Sequence, residues 1–155
     1  NAKFATLDEL QWVRGMKPEI YAKVRPYLTL DSSGLVNLNT ASREVLLAVG
    51  LSPDLCDAIV KYRKGPDDLE GTTDDRAFGE LSSVGPLLVQ GGYLYGGERS
   101  DLQAVIRSGI LTVKSSFFTA QVLAQLKYKK QALQIEAVFD EKGTLARWEE
   151  QFVVS

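Results

Sequence analysis

The 155-residue chain predicts an α+β fold, with helices first and an antiparallel sheet last. Two observations carry this reading. Up to Gly109, apolar residues recur at helical spacing between capping and stop signals; after it the apolar period falls to two. The expected division is a helical part over 3–108 and a sheet part over 109–155. With 45% apolar and 25% charged residues, the chain has enough apolar side chain for a core, which excludes low-complexity disorder.

The first helix is signalled by Thr6 at an N-cap with Glu9 three residues on, a capping-box pattern. Leu10 and Val13 follow on one face, and Gly15 closes it. Pro18 suits a first helical position, Ile20, Tyr21 and Val24 form a stripe, and Pro26 stops the helix. Residues 27–38 read as extended and loop-like, with a turn at Asp31-Ser32-Ser33-Gly34. Asn39 or Thr40 caps a helix carrying Ala41, Val45, Leu46 and Val49, which Gly50 ends. Ser52-Pro53 opens another, with Leu55, Ala58, Ile59 and Tyr62 at helical spacing up to Gly65-Pro66.

A polar loop spans 65–77. A short helix over Phe78–Val84 is expected to break at Gly85-Pro86. Glycine pairs 91–92 and 96–97 flank Tyr93-Leu94-Tyr95 in a loop, and Asp101–Arg107 forms the last helix. Beyond Gly109, Phe118, Ala120, Val122, Ala124 and Leu126 alternate with a second set. Leu133, Ile135, Ala137 and Phe139 do likewise, and a third run covers Leu145–Val153. Asp140-Glu141-Lys142-Gly143 supplies a hairpin loop between the last two runs. This is a meander with one solvated face.

Composition removes several chemistries. There is no histidine, hence no histidine base, no Ser-His-Asp triad and no histidine zinc site. The single cysteine, Cys56, excludes an internal disulfide and a thiolate cluster. Net charge is −2, and residues 1–98 hold 10 basic against 14 acidic residues, a balance unlike that of a polyanion binder. No apolar run approaches the ~18–20 residues that span a bilayer, and no signal peptide is visible. The chain enters a helix signal directly at Phe4 and reads as a soluble fragment of a longer protein, so a missing anchor says nothing about the parent.

An internal echo is present. Phe4, Leu7, Glu9, Leu10, Val13 and Gly15 recur approximately as Phe78, Glu80, Leu81, Val84 and Gly85, and Leu28-Thr29-Leu30 as Leu111-Thr112-Val113. The simplest reading is a repeated helical-hairpin unit.

The run Val36-Asn37-Leu38-Asn39-Thr40-Ala41-Ser42, with Val45-Leu46, Leu51, Ala58-Ile59 and Tyr62-Arg63 after it, resembles the helix-hairpin-helix modules of competence-type DNA receptors. It resembles more closely the helical domain of the type II secretion minor pseudopilin K subunit. That family pairs such a run with an upstream block, here Glu9-Leu10, Val13, Gly15-Met16, Tyr21 and Leu28-Thr29. It closes with a stretch seen here as Leu111-Thr112-Val113-Lys114-Ser115-Ser116-Phe117-Phe118, before β-strands. The resemblance covers nearly the whole chain. It implies helix-hairpin-helix, SAM-like units and a pilin-type sheet. It also implies a membrane-anchoring pilin helix in the parent, an inner-membrane-anchored protein with a periplasmic body, and a place at the pseudopilus tip with other minor pseudopilins. The secreted substrate is a further candidate partner.

A DNA-binding hairpin offers backbone N–H groups to phosphate at a Gly-x-Gly turn. Val49-Gly50-Leu51-Ser52-Pro53 has one glycine, and Pro53 has no N–H; Val84-Gly85-Pro86 shares the defect. No nucleic acid is therefore expected. Asp67, Asp68, Glu70, Asp74 and Asp75 offer hard oxygen ligands suited to Ca²⁺, without EF-hand spacing; the competing reading is a solvated acidic loop. Some K-type pseudopilins are understood to hold calcium in this domain. A rise in melting temperature with Ca²⁺ that EDTA abolishes would mark such a site and a calcium-stabilised adhesion domain.

Cys56, with no histidine partner, reads as a structural thiol. Asn37 and Asn39 read as helix caps, Trp12 and Trp148 as core or interface anchors, and Lys127, Lys129 and Lys130 as a solvated guard against strand pairing. Spacing picks out no acid/base carboxylate pair, and no Gly-rich phosphate loop follows a strand. The expected function is a non-catalytic tip component of the pseudopilus acting through protein–protein contacts; the alternative is a helix-hairpin-helix nucleic-acid module.

Overall fold

A computed structural model describes residues 4–94, 98–128 and 131–154. The expected loop residues Tyr95, Gly96 and Gly97, and Lys129 and Lys130 of the lysine cluster, lie outside them. The fold is α+β, with a three-stranded antiparallel sheet towards the C-terminus. The chain divides into a helical unit, residues 1–30 and 34–114, and a sheet unit, residues 31–33 and 115–155.

In the helical unit, Leu7–Trp12 is a 3-10 helix rather than an α-helix, and none of its residues is buried. With no buried residue, it is held mainly by hydrogen bonds: the Glu9 carboxylate accepts from the N–H groups of Ala5 and Thr6, and the Asp8 carboxylate accepts from α1. α1 (Pro18–Val24) has Pro18 in its first turn, as expected. The chain continues through Pro26 as a 3-10 turn, Arg25–Tyr27. Tyr21, the one buried residue of α1, donates its hydroxyl to Asp8.

Two hairpins form the core: α2 (Arg43–Ala48) with α3 (Pro53–Arg63), and α4 (Leu81–Gln90) with α5 (Glu98–Arg107). Leu38, Leu46, Leu55, Ile59, Leu88 and Leu102 are fully buried between them. Tyr62 stacks on Phe78 at 4.5 Å and meets Tyr93 edge-on at 6.0 Å.

Three expectations change here. α4 does not break at Gly85-Pro86; it runs through both. The proline costs one helical bond at its exposed side of the helix, and burial of Val84, Gly85 and Leu88 on the other side holds the helix together. Gly85 is buried towards α5, where a Cβ would make an ordinary 3.6 Å contact with Leu102. Ser42, not Asn39 or Thr40, caps α2, accepting from Val45 N–H at 3.4 Å. The sequence echo has no structural counterpart, since Leu7–Trp12 buries nothing whereas Leu81–Gln90 anchors a core face.

Val36–Asn37 (β1) pairs in parallel with Leu111–Thr112 (β2). That pair ties the chain up to Lys114 into the helical unit, so the unit ends later than the expected boundary at residue 108.

In the sheet unit, β3 (Phe117–Gln125), β4 (Gln131–Asp140) and β5 (Leu145–Val154) lie in that order. Phe118 faces Phe139, Ala120 faces Ala137, and Val122 faces Ile135. Across the next ladder Leu133 faces Phe152 and Ala137 faces Trp148. The loop after Asp140 forms as expected, with Gly143 at φ 79° and its N–H donating to Asp140 O at 2.9 Å.

Candidate functional site

The turn between α2 and α3 is the first place to look for an anion site. Gly50 takes φ 97°, which glycine tolerates and other residues resist. Its N–H donates to Leu47 O at 3.0 Å, and that of Leu51 donates to Leu46 O at 3.2 Å. The turn spends these two amides on closing its own helix. Gly85-Pro86 lies inside α4, so the turn of the second hairpin falls later, where Gly91, Gly92 and Tyr93 donate to Leu87, Val89 and Leu88.

The acidic loop follows α3. Gly65, at φ 67°, sits where any Cβ would collide with the Asp74 carbonyl, so the loop doubles back tightly. Its carboxylates are engaged by neighbouring donors. Asp67 accepts from Leu69 N–H, Asp74 from the Thr72 hydroxyl and Asp67 N–H, and Asp75 from Gly71 N–H. Glu70 pairs with Arg63 at 3.2 Å. The Thr72 hydroxyl, with backbone N–H groups, holds the Asp74 carboxyl below the usual range. Asp68 sits at φ 58°. Asp67, Asp68, Glu70, Asp74 and Asp75 thus share one loop, but no three carboxylate, thiol or imidazole groups among the described residues stand together as metal ligands would.

Arg63 organises this region, a role the sequence reading missed. From the last turn of α3 it donates to Ala41 O at 2.7 Å and Leu38 O at 3.3 Å, while also holding Glu70. The only local signal was a basic residue near a helix C-terminus. Beside it lies an open depression of about 380 Å³ lined by Thr40, Ser42, Arg43, Lys64, Asp68 and Leu69 among others. Arg43 there is engaged by Asp57, which stays below the usual carboxylate range because of that hydrogen bond.

Asn39 does not cap a helix. Its side-chain carbonyl accepts from Phe78 N–H at 2.8 Å, and its amide donates to Phe78 O and Val113 O, both at 2.9 Å. It joins three distant stretches of backbone at the base of the core. Asn37 closes the turn before it, accepting from Asn39 N–H at 2.9 Å. Cys56 is buried, its thiol 3.8 Å from Leu51 O, and burial pushes its pKa up, away from the thiolate a nucleophile needs.

Uncovered apolar surface is the other notable feature. In the helical unit Trp12 is 85% exposed, and Val13, Ile20, Tyr27 and Leu28 are exposed as well. In the sheet unit Phe118, Val122, Trp148 and Phe152 share one face and are at least half exposed. Neither tryptophan enters a core. The opposite face is mixed and carries a charged node: Arg147 reaches Asp31 and Glu136 at 2.9 Å and Glu149 at 2.6 Å. Its three carboxylate partners raise its pKa further, the bond to Glu149 most. Lys127 stands 5.9 Å from the Tyr128 ring.

No family model, curated protein or solved structure matches this chain. Among the described residues, no helix is long and apolar enough to cross a membrane.

Proposed function

We propose that this chain is a non-catalytic assembly protein that works by presenting apolar surface to partner subunits. More particularly, we infer the periplasmic body of a K-type minor pseudopilin of a type II secretion system. In that reading the helical unit, up to Lys114, corresponds to the helix-hairpin-helix, SAM-like domain, and the sheet unit from Ser115 onward to part of a pilin-type sheet. The parent is inner-membrane-anchored, and the partners are the other minor pseudopilins at the pseudopilus tip.

The observation that carries this reading is the uncovered apolar side chains, Trp12 in one unit and Phe118, Trp148 and Phe152 in the other. Contiguous exposed apolar residues mark protein interaction sites. The engaged amides of the Gly50 turn and the acidic balance of residues 1–98 support it against the nucleic-acid alternative.

The test is to mix the chain with the soluble bodies of the other minor pseudopilins of the same cell and follow complex formation by size exclusion. A stable complex that W12A or W148A weakens about tenfold is expected, since buried tryptophans dominate such interfaces. Failure to form a complex, together with salt-dependent micromolar binding to short duplex DNA, would replace this reading with the alternative.

A further inference from the structure

The two outer strands of the sheet are built differently. β5 carries Arg147, Glu149 and Glu150, and its register slips against Val138 and Phe139, leaving Ala146 as an extra residue. Charges and bulges are what proteins use to keep an edge strand from pairing. β3 has neither. Phe117 to Gln125 is nine residues with no charge, no proline and no glycine, in unbroken register with β4, and residues 118–125 are all exposed. The lysine at 127 follows the strand and leaves the paired stretch unguarded.

The order of side chains along β3 is also self-complementary. Take an antiparallel pair of two β3 strands with the two-fold axis at Gln121. On the apolar face Phe118 then meets Ala124, and Ala120 meets Val122. On the other face Phe117 meets Gln125 and Thr119 meets Leu123. On the apolar face each bulky residue is set against an alanine, and no like charges face each other. Residues of equal parity pair, so the two apolar faces lie on the same side of one six-stranded sheet.

We propose that two copies of this chain associate through the outer edge of β3, antiparallel and centred on Gln121. The association adds main-chain hydrogen bonds and cross-strand contacts, the mode by which a strand extends an exposed sheet edge. It stands independently of the pseudopilin reading.

Sedimentation equilibrium of the full chain tests it, with circular dichroism as a check of folding. The wild-type chain is expected to shift reversibly from its 17.1 kDa monomer to a dimer as concentration rises. T119K/L123K sets lysine against lysine twice across the axis and should weaken the dimer about tenfold. T119K/L123E turns the same two contacts into opposite-charge pairs and should restore it. Q121C should cross-link into a covalent dimer on oxidation, whereas the wild-type chain, whose Cys56 is buried, should not. A chain that stays monomeric at hundreds of micromolar, or a dimer that ignores the lysine pair, overturns the proposal. The first result leaves the edge to a foreign strand or to solvent, and the second moves the contact to another surface.

Discussion

The helical unit and the sheet unit solve the same problem unequally. Each must remove apolar side chains from water. The helical unit does so within itself: Leu38, Leu46, Leu55, Cys56, Ile59, Leu88 and Leu102 are fully buried in one cluster. The sheet unit has a complete ladder of strands, but among its described residues only Ala132, Ala137 and Val138 are buried. Its large apolar residues stay at the surface. Regular secondary structure therefore does not make a core; a sheet needs something against its apolar face, and a three-stranded sheet with that face open is only marginally stable alone.

The sharpest way to test this difference is to make the same substitution in both units. Phe78 is 2% exposed and stacked on Tyr62, so F78A should cost about 3–5 kcal/mol in urea unfolding. Phe152 is 79% exposed, and F152A should change stability by no more than about 0.5 kcal/mol. Equal losses would break the comparison, because they would mean the sheet's apolar face is covered in solution.

The same contrast governs what the sequence made legible. The sheet was readable because its information is local. Alternation over Phe117–Gln125 and a glycine at the end of a four-residue loop suffice to define strands and hairpin. The helical unit was readable at its caps and stripes, such as Pro18, Ser52-Pro53 and the Leu55-Ile59-Tyr62 face. What escaped depends on long-range partners. β1 and β2 are two residues each, joined across more than seventy residues of chain, too short to leave a period. Pro86 reads as a helix breaker until the burial of Val84 and Leu88 is known. Leu7–Trp12 carries capping residues but has no core to lie on, so it tightens to a 3-10 helix. Of the candidate site residues, the five acidic ones were found on one loop, yet the internal donors that occupy them could not be read from spacing.

Asn39 gives the next largest effect. N39A would leave the Phe78 N–H and the Phe78 and Val113 carbonyls without their partner inside the helical unit. Leaving such groups unpaired costs about 1–3 kcal/mol each, with partial relief where water enters, so a loss of about 2–4 kcal/mol is expected. Amide exchange should localise the damage to Phe78 and to the β1–β2 pair. An N39A chain as stable as wild type would show that this clamp is not what joins those segments.

In the sheet unit the comparable polar node is weaker because water reaches it. Arg147 touches Asp31, Glu136 and Glu149, but its side chain is 36% exposed. Glu136 and Glu149 are direct cross-strand partners, so the guanidinium also separates two like charges. After allowance for solvent screening, R147M should cost about 0.5–1 kcal/mol at low salt and less in 1 M NaCl. A salt-independent loss would point to packing of the side-chain stem instead.

The smallest effect expected is acid sensitivity at the β4–β5 loop. The Asp140 carboxylate accepts from Thr144 N–H at 2.8 Å and Lys142 N–H at 2.9 Å, and these bonds, Thr144's foremost, hold its pKa below the usual carboxylate value. Because the folded pKa lies below the unfolded one, the unfolded chain binds more protons in the window between them. The stabilisation is therefore present above about pH 4 and is lost as pH falls through the folded pKa. Glu44, Asp57 and Asp74 act with the same sign in the helical unit, so the global unfolding curve mixes their contributions with that of Asp140. The amide resonances of Lys142 and Thr144 separate the loop from them. They should titrate together below pH 4 in the wild-type chain and stay flat in D140N. Titration that persists in D140N would move the acid-sensitive contact off this carboxylate and leave the hairpin's stability independent of its first residue.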